Sequence, residues 1–352
     1  MAAAVDRVRH RRILVSPAVG EDEWDSFVHA HPESTGYHLW KWRNVFEDAF
    51  GHRTEYLAAR QGSSIVGILP LVILESRLFG RFMVSLPFVN YGGVLTTHDE
   101  AREELLRHSF ELATKLRLSH FELRHTARRF PELPVKHHKV SMHLKLAPDV
   151  ESAWQGLRNK ERNLIRKGQK SDLAVRIGGA EFIGEFYRIF ARNMRDLGTP
   201  VYARDFFECI FNAFPTQTRI FVVTCGDRPV AASLTYAYRN QIEVPWASSL
   251  REFRDRCPNN LMYWTMIQYA IENRFEIFDF GRSSPDDGPF RFKQQLGAQP
   301  IPLHWEYGLL ESQVLPDQSP RNPKFRLAVN AWKHMPLGLA TRLGPHIVRC
   351  IP

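Results

Sequence analysis

The residues of this chain whose types and spacing lend themselves to chemistry stand in the stretch FEIFDFGRSSPDDGPFRFKQQLGA, residues 275–298. Asp279, Gly281, Arg282, Ser283, Ser284 and Lys293 bring a carboxylate, a permissive backbone position, a guanidinium, hydroxyls and an ammonium into one short segment. Asp279-Phe280-Gly281 is also the triplet that orients magnesium in protein kinases. Such an enzyme needs in addition a glycine-rich phosphate loop, a strand lysine and an H-R-D catalytic loop upstream. None is present: His52-Arg53 is followed by Thr54, and no G-x-x-x-x-G-K-[ST] run occurs. The kinase reading is excluded. Arg282 then reads as a bidentate phosphate grip or as a surface salt bridge. Gly281 lets the backbone come close to a ligand. Asp279 either orients Lys293 or Arg282, or is only a cap at a strand end.

The elements that must position these residues show themselves through a repeat. Without a gap, YLAARQGSSIVGILPLV (56–72) lies over IFVVTCGDRPVAASLTY (220–236), each a hairpin turning at Gly62 or Gly226. LLRHSFELATKLRLSHFELR (105–124) then matches MYWTMIQYAIENRFEIFDFGR (262–282). Leu105, Leu106, Ser109, Phe110, Ala113 and Leu116 recur at helical spacing, and HFELR and IFDFGR follow as short buried strands. Hairpin, helix and strand in the same order twice predict two similar α/β (α+β) domains, 11–148 and 149–312, with mixed sheets flanked by helices. SQVLPDQSPRNP opens a third segment, 313–352, as a linker by composition. Asp279-Phe280-Gly281 has its twin in Glu122-Leu123-Arg124, but nothing in the first copy matches Phe290-Arg291-Phe292-Lys293.

The run PNNLMYWTMIQYAIENRFEIFDFGRSS…GPFRFKQQLGA, with NMRDLGTPVY before it and LPFVNYGGVL in the first domain, resembles the FemAB-type proteins. These are tandem-domain relatives of the GCN5-related N-acyltransferases (GNAT). The resemblance spans roughly residues 12–312, and the tail NPKFRLAVNAWKHMPLGLATRLGPHIVR is similar to that of the subgroup tied to exosortase (PEP-CTERM) and exopolysaccharide systems of the bacterial cell envelope. It implies two tandem GNAT-like domains and transfer of an acyl or aminoacyl group from acyl-CoA or aminoacyl-tRNA to a small-molecule or lipid-linked amine, with no metal. Lys293 matches the family's lysine, so the resemblance gives it a place at the reacting carbonyl or a phosphate; otherwise it is an exposed surface lysine. Asp279 gains a second role as proton acceptor from the attacking amine. Such transfer needs a neutral amine and a donor to the carbonyl oxygen.

One departure bears on the donor. The acetyl-CoA signature Q/R-x-x-G-x-G/A is missing, and WASSLREFRDRCPNNLMYW stands in its place. Asn259 and Asn260 are expected to cap a helix starting near Leu261, whose positive end would still hold phosphate. Residues 151–170, ESAWQGLRNKERNLIRKGQK, carry Arg158, Arg162 and Arg166 opposite an apolar face, either as a solvated surface or as a phosphate-binding one for tRNA, a nucleotide-linked sugar or CoA. Tyr91 and Gly92 in LPFVNYGGVL, with Tyr202 and Trp246, are candidate walls of an acceptor groove or plain turn and core residues.

Composition sets the outer limits. The 352 residues carry a net charge of +9 and 44% hydrophobic side chains, those of a globular chain drawn to phosphates or anionic lipid. Cys209, Cys225, Cys257 and Cys350 show no C-x-x-C spacing, and the histidines show no H-E-x-x-H, which argues against zinc and disulfides. Arg7, Arg9, Arg11 and Arg12 precede no apolar run of the secretory kind. A cytoplasmic protein is expected, peripheral on the inner face of the membrane if the tail binds there. From Arg321 on there is no acidic residue; Phe325, Ala328, Val329 and Trp332, then Leu339, Leu343 and Ile347, form apolar runs among Lys324, Arg326, Lys333, Arg342 and Arg349. That suits a helix on anionic lipid or one packed on the second domain. The rival to an enzyme is a non-catalytic scaffold that docks polysaccharide machinery to the membrane.

Overall fold

The computed structural model describes residues 12–18, 20–76, 80–310, 314–316 and 323–351. The first part of the chain runs β1 (Ile13–Pro17), α1 (Glu21–Ala30), α2 (Lys41–Phe50), β2 (Arg53–Gln61), β3 (Ser64–Ser76), β4 (Gly80–Val84), β5 (Leu95–Thr96), α3 (Asp99–Lys115), β6 (His120–His125), β7 (Val135–Lys136) and β8 (Val140–Lys145). It continues through α4 (Val150–Gly156), α5 (Asn159–Gln169), β9 (Leu173–Gly178), α6 (Ile183–Leu197), α7 (Arg204–Ala213), β10 (Thr218–Cys225), β11 (Arg228–Tyr238), β12 (Gln241–Ser249) and α8 (Pro258–Glu272). The last elements are β13 (Ile277–Ser283), α9 (Gly288–Gln295), β14 (Gln299–Pro302), β15 (His304–Leu309), α10 (Pro323–Lys333) and α11 (Leu337–Val348).

Two mixed sheets result, ordered β1-β2-β3-β4-β6-β15-β7 and β9-β10-β11-β12-β13-β8-β14, with β5 beside β3. The duplicated hairpins are β2–β3 and β10–β11, and their turns place Gly62 at φ 67° and Gly226 at φ 53°, the left-handed region glycine enters without a Cβ penalty. In each sheet the hairpin is followed by a strand, a helix and a second, parallel strand: β4 with β6, β12 with β13. The last residues so paired are Val84 with Glu122 and Glu243 with Asp279, which makes Glu122 and Asp279 structural counterparts.

The chain exchanges its closing strands. β8 pairs with β13 and β14 in the second sheet, while β15 pairs with β6 and β7 in the first. A division at Pro148 therefore does not follow the strands: β8 precedes it yet completes the second sheet, and β15 lies in 149–312 yet completes the first. Hydrophobic alternation makes a strand but does not say which sheet edge it joins.

A core common to both halves sits between the sheets. Trp42, Phe46 and Phe50 of α2 pack on Phe206 of α7, Phe214 and Tyr236 of β11, with ring centroids 5.2 Å apart for Trp42–Phe214 and 4.9 Å for Phe50–Phe206. Such pairs add about 0.5–1.5 kcal/mol each beyond their buried area. Separate cores lie under α3 in the first sheet and under α8 in the second.

The tail packs on α6 and the segment after it. Trp332, Ala340 and Val348 are buried, and a Cβ added at Gly344 would stand 2.8 Å from the Val201 backbone nitrogen. Leu339, Leu343 and Ile347, on the neighbouring face of α11, remain 50%, 43% and 38% exposed. Among the described residues no helix is long and apolar enough to cross a membrane. Arg7, Arg9 and Arg11, the linker 317–322, and the side chains of Lys324, Phe325 and Arg326 lie outside the described residues.

Candidate active site at the fork of the second sheet

Parallel pairing of β12 with β13 stops at Glu243 and Asp279, although both strands run on. Two residues explain the parting. Pro245 has no N–H to offer a ladder. Gly281 sits at φ 73°, where a Cβ would lie 2.7 Å from the Val244 carbonyl oxygen, so the backbones touch here in a geometry reserved for glycine. β13 also slips register against β8 between Asp279 and Arg282. The carbonyls freed by the parting are taken by Lys293, carried in by α9, whose Nζ donates at 3.0 Å to both Gly281 and Arg282. Burial pulls the Lys293 pKa down to about 8 against the attraction of Asp279 and Glu243. Lys293 is thus buried rather than an exposed surface lysine, and one of its three N–H groups remains for a ligand.

Asp279 is fully buried. It accepts from Ser141 Oγ (2.7 Å), His143 Nε2 (3.1 Å), the Gly281 N–H (2.8 Å), Tyr91 OH (3.1 Å) and Gln241 Nε2 (3.3 Å). Burial works to raise its pKa, but the His143 hydrogen bond and charge, with Ser141 and Gly281, hold it below the usual carboxylate value. His143 is correspondingly raised: Asp279 outweighs the desolvation of the ring. The cap role read for Asp279 is present in the Gly281 bond; its ion-pair partner is His143, not Lys293 or Arg282.

Glu243, opposite Asp279, is the acid that sequence reasoning missed. Tyr37 OH donates to it at 2.8 Å, Asn90 Nδ2 donates to the same oxygen, and Tyr91 OH lies 3.4 Å from the other. Burial, then the charge of Asp279, pushes its pKa well above the carboxylate range. The pair therefore holds one proton on Glu243 and a negative charge on Asp279 matched by His143. The only hint in the sequence was a lone acid in the apolar strand QIEVPWASS; register against Asp279 was not readable.

The parted strands open onto a cleft of about 840 Å³ between the two sheets, lined by Asn90, Tyr202, Pro245, Trp246, Arg282 and Trp305 among others. Tyr202 and Trp246 are walls: both pack in the aromatic core, Trp246 edge-on to Phe206 and Phe207 at 5.5 and 5.4 Å. Arg282 faces the cleft, its pKa lowered to about 10 by burial and then by Arg124. Ser283 is buried with an Oγ that no described residue meets, and Ser284 Oγ accepts from Lys139 Nζ at 2.8 Å. Gly92 serves packing, with its N–H on the Arg124 carbonyl (3.1 Å) and Leu86 where a Cβ would go.

The predicted phosphate set does not converge on this cleft. Arg162 bonds Asn159, Arg166 bonds Asn163 at 3.4 Å and lies 5.3 Å over the Trp154 ring, and Arg158 borders a separate groove of about 440 Å³ beside Trp264 and Gln294. The helix expected from Leu261 begins at Pro258, because proline fits a first helical turn that lacks an N–H partner. Its cap residue is Cys257, so Asn259 and Asn260 are not caps. Asn260 is buried with its Nδ2 at 3.5 Å from Glu161, a fully buried carboxylate whose other oxygen has no partner among the described residues. Among those residues no group of three or more His, Cys, Asp or Glu is arranged to hold a metal.

Residues 153–294 match the family model of the acetyltransferase (GNAT) domain. That span, about two fifths of the chain, carries β12, β13 and α9 and so includes the fork. Among solved structures the chain is similar to FemX, with 16% identity, a TM-score of 0.65 and coverage of 85% of this chain and 98% of that one. It is similar also to a tandem GNAT protein from the clavulanic acid biosynthesis pathway (12% identity, TM-score 0.52, coverage 84% and 97%). A third is the C-terminal domain of a protein named as a lysylphosphatidylglycerol synthetase from Agrobacterium fabrum (9% identity, TM-score 0.55, coverage 83% and 90%). At these identities the likeness is one of fold, and it extends the tandem GNAT arrangement over both sheets. No curated protein matches the chain significantly.

Proposed function

We propose that the chain is a FemAB-type N-acyltransferase that moves an acyl or aminoacyl group to an amine held in the cleft between the sheets. The observation that carries this reading is the fork itself: in a domain that matches the GNAT model, two parallel strands part between the large cleft, lined by Pro245 and Arg282, and a smaller pocket lined by the acid at their junction, Glu243. In the reaction the amine attacks the donor carbonyl, a C–N bond forms, the C–O or C–S bond to the leaving group breaks, and the amine's proton must reach the leaving atom. A carboxylic acid that keeps its proton at neutral pH is suited to give it to the leaving group and take one back from the amine. Asp279 is the anchor of this wiring, since its oxygens are saturated by five donors. Lys293 holds the strand end that carries Arg282 and turns its remaining N–H to the reacting carbonyl.

Of the two donor classes, aminoacyl-tRNA is the better supported. A CoA pyrophosphate would approach the start of α8, where a buried carboxylate, Glu161, already stands against Asn260; a phosphate there meets like charge. Two features of the tail support a lipid-linked acceptor of an envelope or exopolysaccharide pathway: Val348 and Ile351 line the cleft, and Leu339, Leu343 and Ile347 stay exposed on a helix that also carries Arg342. We take this face of α11 to rest on the anionic inner surface of the membrane.

The test is to present purified protein with charged tRNA and, separately, with acetyl-CoA, and to follow saturable binding and thermal stabilisation. Stabilisation by charged tRNA alone is expected. Stabilisation by acetyl-CoA would reverse the donor assignment, and none by either would remove the enzymatic reading.

A further inference from the structure

The smaller pocket at the fork encloses about 210 Å³ between the β11–β12 turn and the segment before α2, and it shares no lining residue with the large cleft. At about 30 Å³ for a water molecule, that is room for about seven heavy atoms. Of its lining residues Tyr37, Tyr91, Tyr236 and Glu243 are buried and make the floor, whereas Glu33 and Arg239 are exposed at the mouth.

Hydrogen bonding fixes the chemistry of that floor. A tyrosine hydroxyl has one hydrogen, and each is spent on the protein: Tyr37 on Glu243 at 2.8 Å, Tyr91 on Asp279 at 3.1 Å and Tyr236 on the Gly36 carbonyl at 2.9 Å. The Gln241 amide gives likewise to Tyr91 OH at 3.0 Å and to Asp279 at 3.3 Å. What the floor keeps is lone pairs and aromatic rings, and the second oxygen of Glu243 is held only by the 3.4 Å contact with Tyr91. The charges at the mouth are committed as well. Arg239 donates to the carbonyls of His29 (2.7 Å), His31 (3.1 Å) and Pro32 (3.2 Å) at the end of α1, and Glu33 pairs with Arg129 at 2.9 Å.

An anion finds no donor on such a floor. A primary ammonium has three N–H donors and no acceptor, and tyrosine rings attract it. The buried acid completes the match: Arg282 and Lys293 attract its charge, yet neither bonds to it among the described residues.

We infer that the smaller pocket binds a primary ammonium group, carried on a molecule or residue of a few heavy atoms, with Glu243 as its counter-ion. Glu243 releases its proton to solvent as the ammonium enters, so a neutral acid and a free cation become an ion pair and one free proton. Asn90, which lines the large cleft, donates to the same carboxyl group, so the charge set in one pocket reaches the wall of the other. Binding here stands apart from transfer in the cleft and needs no donor.

The test is isothermal titration calorimetry of the full chain at pH 7 with alaninamide, cadaverine and tetramethylammonium, each in two buffers of different protonation enthalpy. Saturable binding of a primary amine with release of close to one proton is the predicted result. Tighter binding of alaninamide names the α-ammonium of an aminoacyl residue and tighter binding of cadaverine an alkylammonium; either supports the site. Tetramethylammonium, which has no N–H, should bind at least about 10-fold more weakly. Glu243→Gln should weaken amine binding about 10- to 100-fold and abolish the proton release. Tyr236→Phe, which keeps the ring and removes the hydroxyl oxygen, should weaken it about 3- to 10-fold. No saturable binding of either primary amine, equal affinity for tetramethylammonium, or full affinity in every folded variant overturns the site. Because no turnover is read, a chain that binds no amine here keeps the transfer reading, and one that binds amine yet transfers nothing loses only that reading.

Discussion

Glu243 and Asp279 face each other across the last rung of the β12–β13 ladder, and burial allows only one of them a charge. The consequence for stability against pH follows from the direction of each shift. Asp279 is depressed, so its contribution stands at neutral pH and is lost as pH falls through its folded value. His143 is raised, so its contribution is complete below about 6.5 and is lost as pH rises through its folded value. Glu243 is raised too, so the native state resists its ionisation and stability declines as pH climbs toward its folded pKa. Melting temperatures should therefore fall between about pH 7 and 8, below the range where Lys293, lowered to about 8, opposes the trend, and Glu243→Gln should flatten that slope. Equal slopes would mean that Glu243 is already ionised. Glycine offers a contrast at the same scale. Gly281→Ala meets the Val244 carbonyl as well as a left-handed φ and should lower stability by about 3 kcal/mol or more in denaturant titration. Gly226→Ala, in open space at φ 53°, should cost only about 1 kcal/mol.

Elements with a strong local period were legible. The hairpins at Gly62 and Gly226 and the α3 stripe of Leu105, Leu106, Ser109 and Ala113 stand where alternation and helical spacing put them. The start of α8 was misplaced because two asparagines looked like caps while Pro258 had already begun the turn. What the sequence did not reveal was partnership: that Asp279 lies opposite Glu243 and His143, or Arg124 over Trp305, is fixed by strand register over long sequence separations. The tail illustrates the same limit, since amphipathicity gave a face and not its neighbour. α11 has two, and they can be told apart. Replacing Leu339, Leu343 and Ile347 together with Gln should change folding stability by no more than about 0.5 kcal/mol per site while it weakens sedimentation with anionic vesicles. Gly344→Leu, aimed at Val201, should instead destabilise the fold. Unchanged vesicle binding in the triple variant would refute the membrane face.

At the scale of the whole molecule, duplication and strand exchange make the two halves one structure. Each sheet is completed by a strand from the other half, and one aromatic core runs through both. Calorimetry should accordingly show a single unfolding transition, and a fragment of residues 149–312, which lacks β8, should not fold; two separated transitions would contradict this coupling. The exchange also places the cleft, because β13, β8 and β15 meet where the second sheet parts. The two copies also differ in their acids: Glu122, the counterpart of Asp279, is held by Arg124 and Tyr307, whereas Asp279 faces Glu243, which borders a separate pocket of about 210 Å³ with Tyr37, Tyr91 and Gln241. The measurement that bears most directly on transfer at this fork is the rate of acyl transfer by Glu243→Gln, compared with the wild type at neutral pH and equal folded fraction. Loss of about 10²- to 10⁴-fold in kcat with little change in donor affinity is the predicted result. A wild-type rate would show that the chemistry is done elsewhere.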